Sequence, residues 1–226
     1  VSQSPILITG GAQRLGRHCA ERLLDDGHPV IVTYRREREA LTALRERGAI
    51  TLPADFSSVA GIEAFIARLA ETTSSLRAIV HNASEWLADP EPAAAGEVFE
   101  RLFRVHMQAP YLINLHAREL LEACQEPQRD IVHITDSVVR RGAAGQAAYA
   151  ATKAGLESLT RSFAAQFAPR IQVNAIAPGL VMLNDDRVVD QRVPGPGVIY
   201  QTLRYLLDND YVTGTVLPVD GGEHLG

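Results

Sequence analysis

Tyr149 and Lys153 stand four residues apart, a spacing that places both on one face of a helix. A neighbouring ammonium favours phenolate and is expected to lower the tyrosine pKa. A phenol tuned in this way can release a proton as a hydride arrives. Lys153 is the only lysine among the 22 Lys and Arg residues. Codon bias toward arginine is the plain account of that skew. A compact, rotatable ammonium is nevertheless chemically distinct from a planar guanidinium, so the surviving lysine marks a candidate site. Asp136 lies thirteen residues before Tyr149, just past an apolar run, where a loop can bring it beside the phenol. An ionised carboxylate only accepts hydrogen bonds, so it suits a substrate bearing N–H donors and not a simple ketone. Ser137 is adjacent, but its side chain should point the other way along the chain.

The residues that would bind a coenzyme are spread over four segments. Thr9-Gly10-Gly11-Ala12-Gln13-Arg14-Leu15-Gly16 follows an apolar run and leads into a helical pattern carried by Leu15, Ala20, Leu23 and Leu24. A glycine-rich turn between strand and helix aims unpaired N–H groups and a positive dipole end at one point, which suits a pyrophosphate. Gly10, Arg14, Leu15 and Gly16 are the candidate contacts, although an ordinary tight turn has the same look. Arg14 occupies the place of the middle glycine in G-x-x-x-G-x-G. Tyr34-Arg35-Arg36 ends the second apolar run with no carboxylate, which favours NADPH because guanidinium groups pair with a 2′-phosphate. Arg35 is preferred over Arg36; the alternative is a charged helix start. Asp55 either accepts from an adenine amino group, with Phe56 against the ring, or caps the next helix. Asn82, Ala83 and Ser84 form a small-residue strand end against which a coenzyme can lie.

With 46% hydrophobic and 22% charged residues and a net charge of −5, the chain reads as globular, with no basic field for nucleic acid. No apolar run approaches the ~20 residues of a membrane span, and no signal-peptide pattern appears. Cys19 and Cys124 form no C-x-x-C and read as buried helix-face residues, consistent with a reducing cytoplasm. No two of the seven histidines have metal-ligand spacing.

These groups need a scaffold, and the patterning supplies one. Strands are predicted over 6–9, 30–34, 51–54, 78–81, 130–135, 171–177 and 215–219. Helices are predicted over 15–26, 38–47, 59–73, 97–124, 146–167 and 198–207. Pro110 should bend or joint the long helix. Residues 91–95 and 140–142 read as loops and 178–196 as irregular. Alternating strands and helices imply an α/β, single-domain, Rossmann-like doubly wound parallel sheet of about seven strands, with helices on both faces. Ligands should bind beyond the carboxyl ends of the strands.

As a set, residues 9–16, Asp55, Asn82-Ala83, Tyr149/Lys153, Asn174-Ala175-Ile176-Ala177-Pro178-Gly179, Thr213-Gly214 and Val219-Asp220-Gly221-Gly222 resemble the short-chain dehydrogenase/reductase family over nearly the whole chain. The resemblance implies that Tyr149 donates the proton, that Lys153 binds the nicotinamide ribose, and that Pro178 and Gly179 border the coenzyme. Two positions depart from the family pattern: Asp136 replaces a serine, and His106 replaces an asparagine of the long helix. Asp136, Arg14 and Asn82-Ala83-Ser84-Glu85-Trp86 are similar to the pteridine reductase branch, including its bacterial members. That likeness implies NADPH-dependent reduction of a dihydropterin, of monapterin or biopterin type, to the tetrahydropterin. Hydride would go to C6 and a proton to N5. It places the pterin on Trp86, with Arg14 and Ser84 touching both coenzyme phosphate and pterin. A substrate lid is expected over 179–197, with Leu180 in contact with substrate. A cytoplasmic homotetramer is expected, paired through the long helix and the face Ala147, Ala150, Ala151, Ala154. His106 either serves the site or packs a helix. The rival readings are a generic NADPH-dependent carbonyl reductase and a non-catalytic NADPH sensor.

Overall fold

Seven short apolar runs become strands: β1 (Ile6–Ile8), β2 (Val30–Tyr34), β3 (Ile50–Pro53), β4 (Ala78–His81), β5 (Asp130–Ile134), β6 (Gln172–Pro178) and β7 (Val216–Val219). In the computed structural model, which describes residues 3–182 and 193–225, they form one parallel sheet in the order β3-β2-β1-β4-β5-β6-β7. The chain winds outward from β1 to β3, crosses back, and winds outward again from β4 to β7. That reversal opens a crevice at the carboxyl ends of β1 and β4. Residues 183–192, the middle of the expected lid, lie outside the described residues.

Both faces of the five inner strands are buried, which is why those strands are apolar runs and not alternating patterns. Ile6, Ile8 and Val32 pack with Leu23 of α1 (Arg14–Asp25), Leu41 of α2 (Glu39–Glu46) and Leu203 of α9 (Gly197–Asp208). Leu7, Ile31 and Ile79 pack on the other face with Phe65 of α3 (Val59–Thr72), Ile113 of α5 (Ala109–His116) and Phe163 of α8 (Ala147–Phe167).

The structure corrects the sequence reading in three places, the first being residues 91–95, expected as a loop, where a 3-10 turn (Pro92–Ala94) leads directly into a helix. The helix expected over 97–124 is broken into α4 (Ala95–Phe103), a π turn (Arg104–Gln108), α5 and α6 (Arg118–Glu122). Pro110 has no N–H for the His106 carbonyl and crowds it, and the backbone widens in the turn just before it. The loop expected at 140–142 instead contains one helical turn, α7 (Val138–Arg141), stopped by Gly142 at φ 71.

A polar chain runs through the core between β4, α5, β5 and α8. His81 Nε2 donates to Asn114 Oδ1 (2.7 Å), Asn114 Nδ2 to His133 Nε2 (3.2 Å), and His133 Nδ1 to Thr160 Oγ1 (2.8 Å). Thr160 in turn donates to the Leu156 carbonyl at 2.9 Å. Burial pushes the His81 pKa down to about 4 and that of His133 well below its usual value, so both rings are neutral.

Candidate active site

The glycine turn is held from below. Asn82 Nδ2 donates to the Thr9 and Gly10 carbonyls, each at 3.0 Å, and the N–H groups of Asn82 and Ala83 both donate to Thr9 Oγ1 at 3.0 Å. A Cβ on Gly16 would lie 2.4 Å from both the Gly10 carbonyl oxygen and Asn82 Nδ2, so only glycine fits. Gln13, the N-cap of α1, makes no side-chain cap bond, and the first turn carries no acid. The first amides of α1 are therefore available to an anion, and the turn fits a pyrophosphate. Arg14 sits at φ 48, in the left-handed region where glycine is at ease. The departure from the glycine pattern thus carries a backbone cost of about 1–2 kcal/mol, which the arginine side chain must justify.

Tyr34, Arg35 and Arg36 border one end of a cleft of about 690 Å³. Arg35 pairs with Glu85, which also accepts from Arg101 Nε at 2.5 Å and Arg101 Nη2 at 2.8 Å. Arg101 and then Arg35 hold the Glu85 carboxyl below the usual range. Sequence reasoning missed Glu85, because a partner fifty residues from Arg35 leaves no local signal. Asp55 does not cap α3: that role belongs to Ser58, whose Oγ accepts from Gly61 N at 3.1 Å. Asp55 Oδ1 instead accepts from Ser57 N (3.0 Å) and Ser57 Oγ (2.7 Å), and the residue borders the cleft. Phe56 is mostly buried, edge-on to Phe65 at 5.4 Å, with part of its surface at the cleft.

At the opposite end Asp136 and Tyr149 meet. The Tyr149 hydroxyl donates to Asp136 Oδ2 at 2.8 Å, and Val138 N donates to Oδ1 at 2.9 Å. Each carboxylate oxygen keeps a further lone pair for a ligand. Lys153 is buried, donates to the Ile134 carbonyl at 3.0 Å, and lies 5.7 Å from the Tyr149 ring centre. Burial pushes its pKa down to about 8. The expected depression of the Tyr149 pKa is not found. Burial and then the Asp136 carboxylate push it well above the ordinary phenol value. The local lysine is outweighed by desolvation and by a carboxylate in contact. Ser137 is buried; its hydroxyl finds no partner among the described residues, and it does not border the cleft.

Trp86 is 58% exposed and borders the cleft, as do Ala83, Ser84, Pro178, Gly179 and Leu180. The structure therefore brings the residues singled out for coenzyme and substrate, with Asp136, Tyr149 and Lys153, to one cavity, whereas His106 and Ser137 are buried and do not border it. The base of the expected lid is tied down: Gly179 N donates to the Val219 carbonyl (3.1 Å), and Leu180 N donates to Glu223 Oε1 (2.9 Å). Among the described residues, no cluster of three or more His, Cys, Asp or Glu is arranged to hold a metal ion.

A doubly wound sheet, a glycine turn at its switch point and a Tyr–Lys pair on one helix define a nucleotide-dependent oxidoreductase site. The chain belongs to the short chain dehydrogenase family, whose profile matches residues 4–189. It is 44% identical over 232 residues to the dihydromonapterin reductase of Klebsiella pneumoniae subsp. pneumoniae, covering 98% of this chain and 97% of that one. It is 42% identical to the dihydromonapterin reductase of an Enterobacter species, with coverage of 99% and 98%. Among solved structures it is similar to FolM alternative dihydrofolate reductase 1 from Brucella canis complexed with NADP. The TM-score there is 0.87 at 28% identity, covering 99% of this chain and 94% of that one.

Proposed function

We propose that this chain is an NADPH-dependent reductase that converts a 7,8-dihydropterin, of monapterin or biopterin type, to the tetrahydropterin. The observation that carries the reading is Asp136, an acceptor in direct contact with the Tyr149 hydroxyl, in a cleft bordered by Trp86. A carboxylate there fits a heterocycle edged with N–H donors. The dihydromonapterin reductases named above are similar over essentially the full chain.

The residues present fit the coenzyme. The open N-terminus of α1 would take the pyrophosphate, Arg35 with Arg36 and Tyr34 would take the 2′-phosphate, and Asp55 and Phe56, which border the same cleft, would lie beside the adenine. Lys153 would hold the nicotinamide ribose, and a coenzyme bound there would supply hydride for C6 of the dihydropterin. Asp136 accepts from the substrate's N–H edge, Trp86 stacks on its ring, and Leu180 closes on it. Tyr149, kept protonated by its surroundings, holds the proton needed at N5. A water held between Arg14 and Asp136 is the other route to the same atom. Stopped-flow NADPH oxidation with dihydromonapterin tests the whole reading; a rate indistinguishable from the substrate-free rate would sink it.

Stacking of a flat heterocycle on an aromatic face is worth about 1–3 kcal/mol. Trp86→Ala should therefore raise KM for the pterin roughly 10- to 100-fold, while Trp86→Phe keeps most of the affinity. Steady-state kinetics at saturating NADPH reads the difference, and an unchanged KM for Trp86→Ala would remove the indole from the substrate site. Arg14→Gly relieves about 1–2 kcal/mol of left-handed strain against about 0.5–1 kcal/mol of glycine entropy. The variant gives up the side chain's own interactions as well, and it should bind NADPH within a few fold and lose most dihydropterin turnover. Fluorescence titration and turnover assays separate these effects; an equal loss of NADPH binding and turnover would confine Arg14 to the coenzyme.

The same reading takes the described residues as one domain and places the protein in the cytoplasm; residues 183–192 of the expected lid lie outside the described residues. Among the described residues no helix is long and apolar enough to cross a membrane. Phe99, Phe103, Tyr111 and Leu115 are exposed along α4 and α5, which supports pairing of subunits through that face into a homotetramer. Sedimentation of Phe103→Asp should show smaller species than the parent; an unchanged mass would exclude that face.

A further inference from the structure

His106, in the π turn, is buried and makes three hydrogen bonds whose directions can be worked out. The backbone N–H of Glu85 points at its Nε2 at 3.2 Å. A backbone amide can only donate, so Nε2 carries a lone pair. The ring is neutral, burial pushing its pKa down to about 2, so the one ring proton sits on Nδ1. Nδ1 donates to Thr152 Oγ1 at 2.9 Å, and Thr152 donates onward to the Tyr149 carbonyl at 2.9 Å. Ser84 Oγ lies 2.9 Å from the same Nε2. Facing an unprotonated nitrogen, the serine must be the donor. Its proton is committed to the imidazole, and its remaining lone pairs are left for the cleft that the residue borders.

We propose that His106 fixes the polarity of the Ser84 hydroxyl, making Ser84 a second acceptor beside Asp136 for the N–H groups of the substrate. His106 is a positioning residue acting through Ser84; this rests on the dihydropterin reading above. Ser84 then serves the substrate alone, because a hydroxyl whose proton is committed has nothing to offer a coenzyme phosphate oxygen. That revises the expectation that Ser84 touches both ligands. The pocket thereby selects by donor pattern, since Asp136 and Ser84 both reject a group that brings only lone pairs.

The test combines a direct reading of the tautomer with kinetics. In the wild-type protein the 15N shifts of His106 should report a protonated Nδ1 and an unprotonated Nε2. Ser84→Ala and His106→Leu should each raise KM for dihydromonapterin about tenfold, the loss of one net hydrogen bond, with kcat and the NADPH Kd within about twofold. The double variant should be no worse than either single one, because both remove the same interaction. His106→Gln restores an acceptor near Nε2 and should recover most of the loss, and it carries the kinetic test if His106→Leu does not fold. A protonated Nε2, additive single effects, or a NADPH Kd that rises in step with KM would each overturn the proposal. The last outcome would reduce His106 to packing. Failure of the wild type to oxidise NADPH with dihydromonapterin would sink the functional reading; a normal wild-type rate with a protonated Nε2 would sink this inference alone.

Discussion

Asp136→Asn is expected to lower kcat/KM for a dihydropterin by about 10²–10³-fold while NADPH affinity stays within a few fold. The carboxylate has one oxygen on Tyr149 and one on Val138 N, and each retains a lone pair facing the cleft. Charge-assisted bonds to two substrate N–H groups are worth about 1.5–3 kcal/mol each. Asparagine keeps one acceptor and turns the other position into a donor aimed at a donor. It also removes the charge that helps keep Tyr149 protonated, so the phenol pKa should fall in the variant. Asp136→Ser, the commoner residue of the family, should lose pterin turnover likewise and gain activity on simple ketones. If Asp136→Asn stays within threefold of the parent in steady-state assays, the carboxylate does not touch the substrate.

Lys153→Met removes the ammonium at nearly constant volume and should cost about 10²–10⁴-fold in kcat/KM. The same residue sets a pH dependence. Burial lowers its pKa from 10.5 to about 8, so the ammonium is fully present below neutrality and is lost as pH rises through about 8. Wild-type kcat/KM should fall on that alkaline limb, and the residual activity of Lys153→Met should lack it. Stability should move the other way. Between about pH 8 and 10.5 the unfolded chain binds the extra proton, so this group makes unfolding free energy rise with pH across that window. Activity and denaturation profiles measured on one sample would separate the two. An alkaline limb that survives in Lys153→Met would assign it to another group.

Much of the architecture could be read from residue order. Strands buried on both faces are apolar runs, and all seven fall within a few residues of the expected positions. The Asp136–Tyr149 contact can be read from the order of elements, because Asp136 lies just past the end of one strand and Tyr149 in the first turn of the next long helix, thirteen residues on. What escaped depended on contacts distant in sequence. The π turn before Pro110 is invisible to periodicity, which sees only that a proline must disturb the helix. The Glu85–Arg35–Arg101 group joins three elements. The direction of the Tyr149 pKa is not legible in the sequence, because a lysine four residues on can be read locally, whereas burial cannot. Arg14 was recognisable as an anomaly, but only its φ explains why glycine was the alternative.

The histidine chain of the core has a mechanical consequence. His133 is pegged to Thr160 and His106 to Thr152, so α8 is pinned to its surroundings at two points eight residues apart. Between them lies Lys153, and Tyr149 is one turn ahead. A slip of α8 by a single residue would strip both imidazole protons of their acceptors, at about 1–3 kcal/mol for each buried donor. An apolar seam tolerates sliding because one methyl replaces another. Two one-way polar pegs do not, so the seam acts as a vernier that sets the phenol and ammonium against the ends of β4 and β5 to a fraction of a residue.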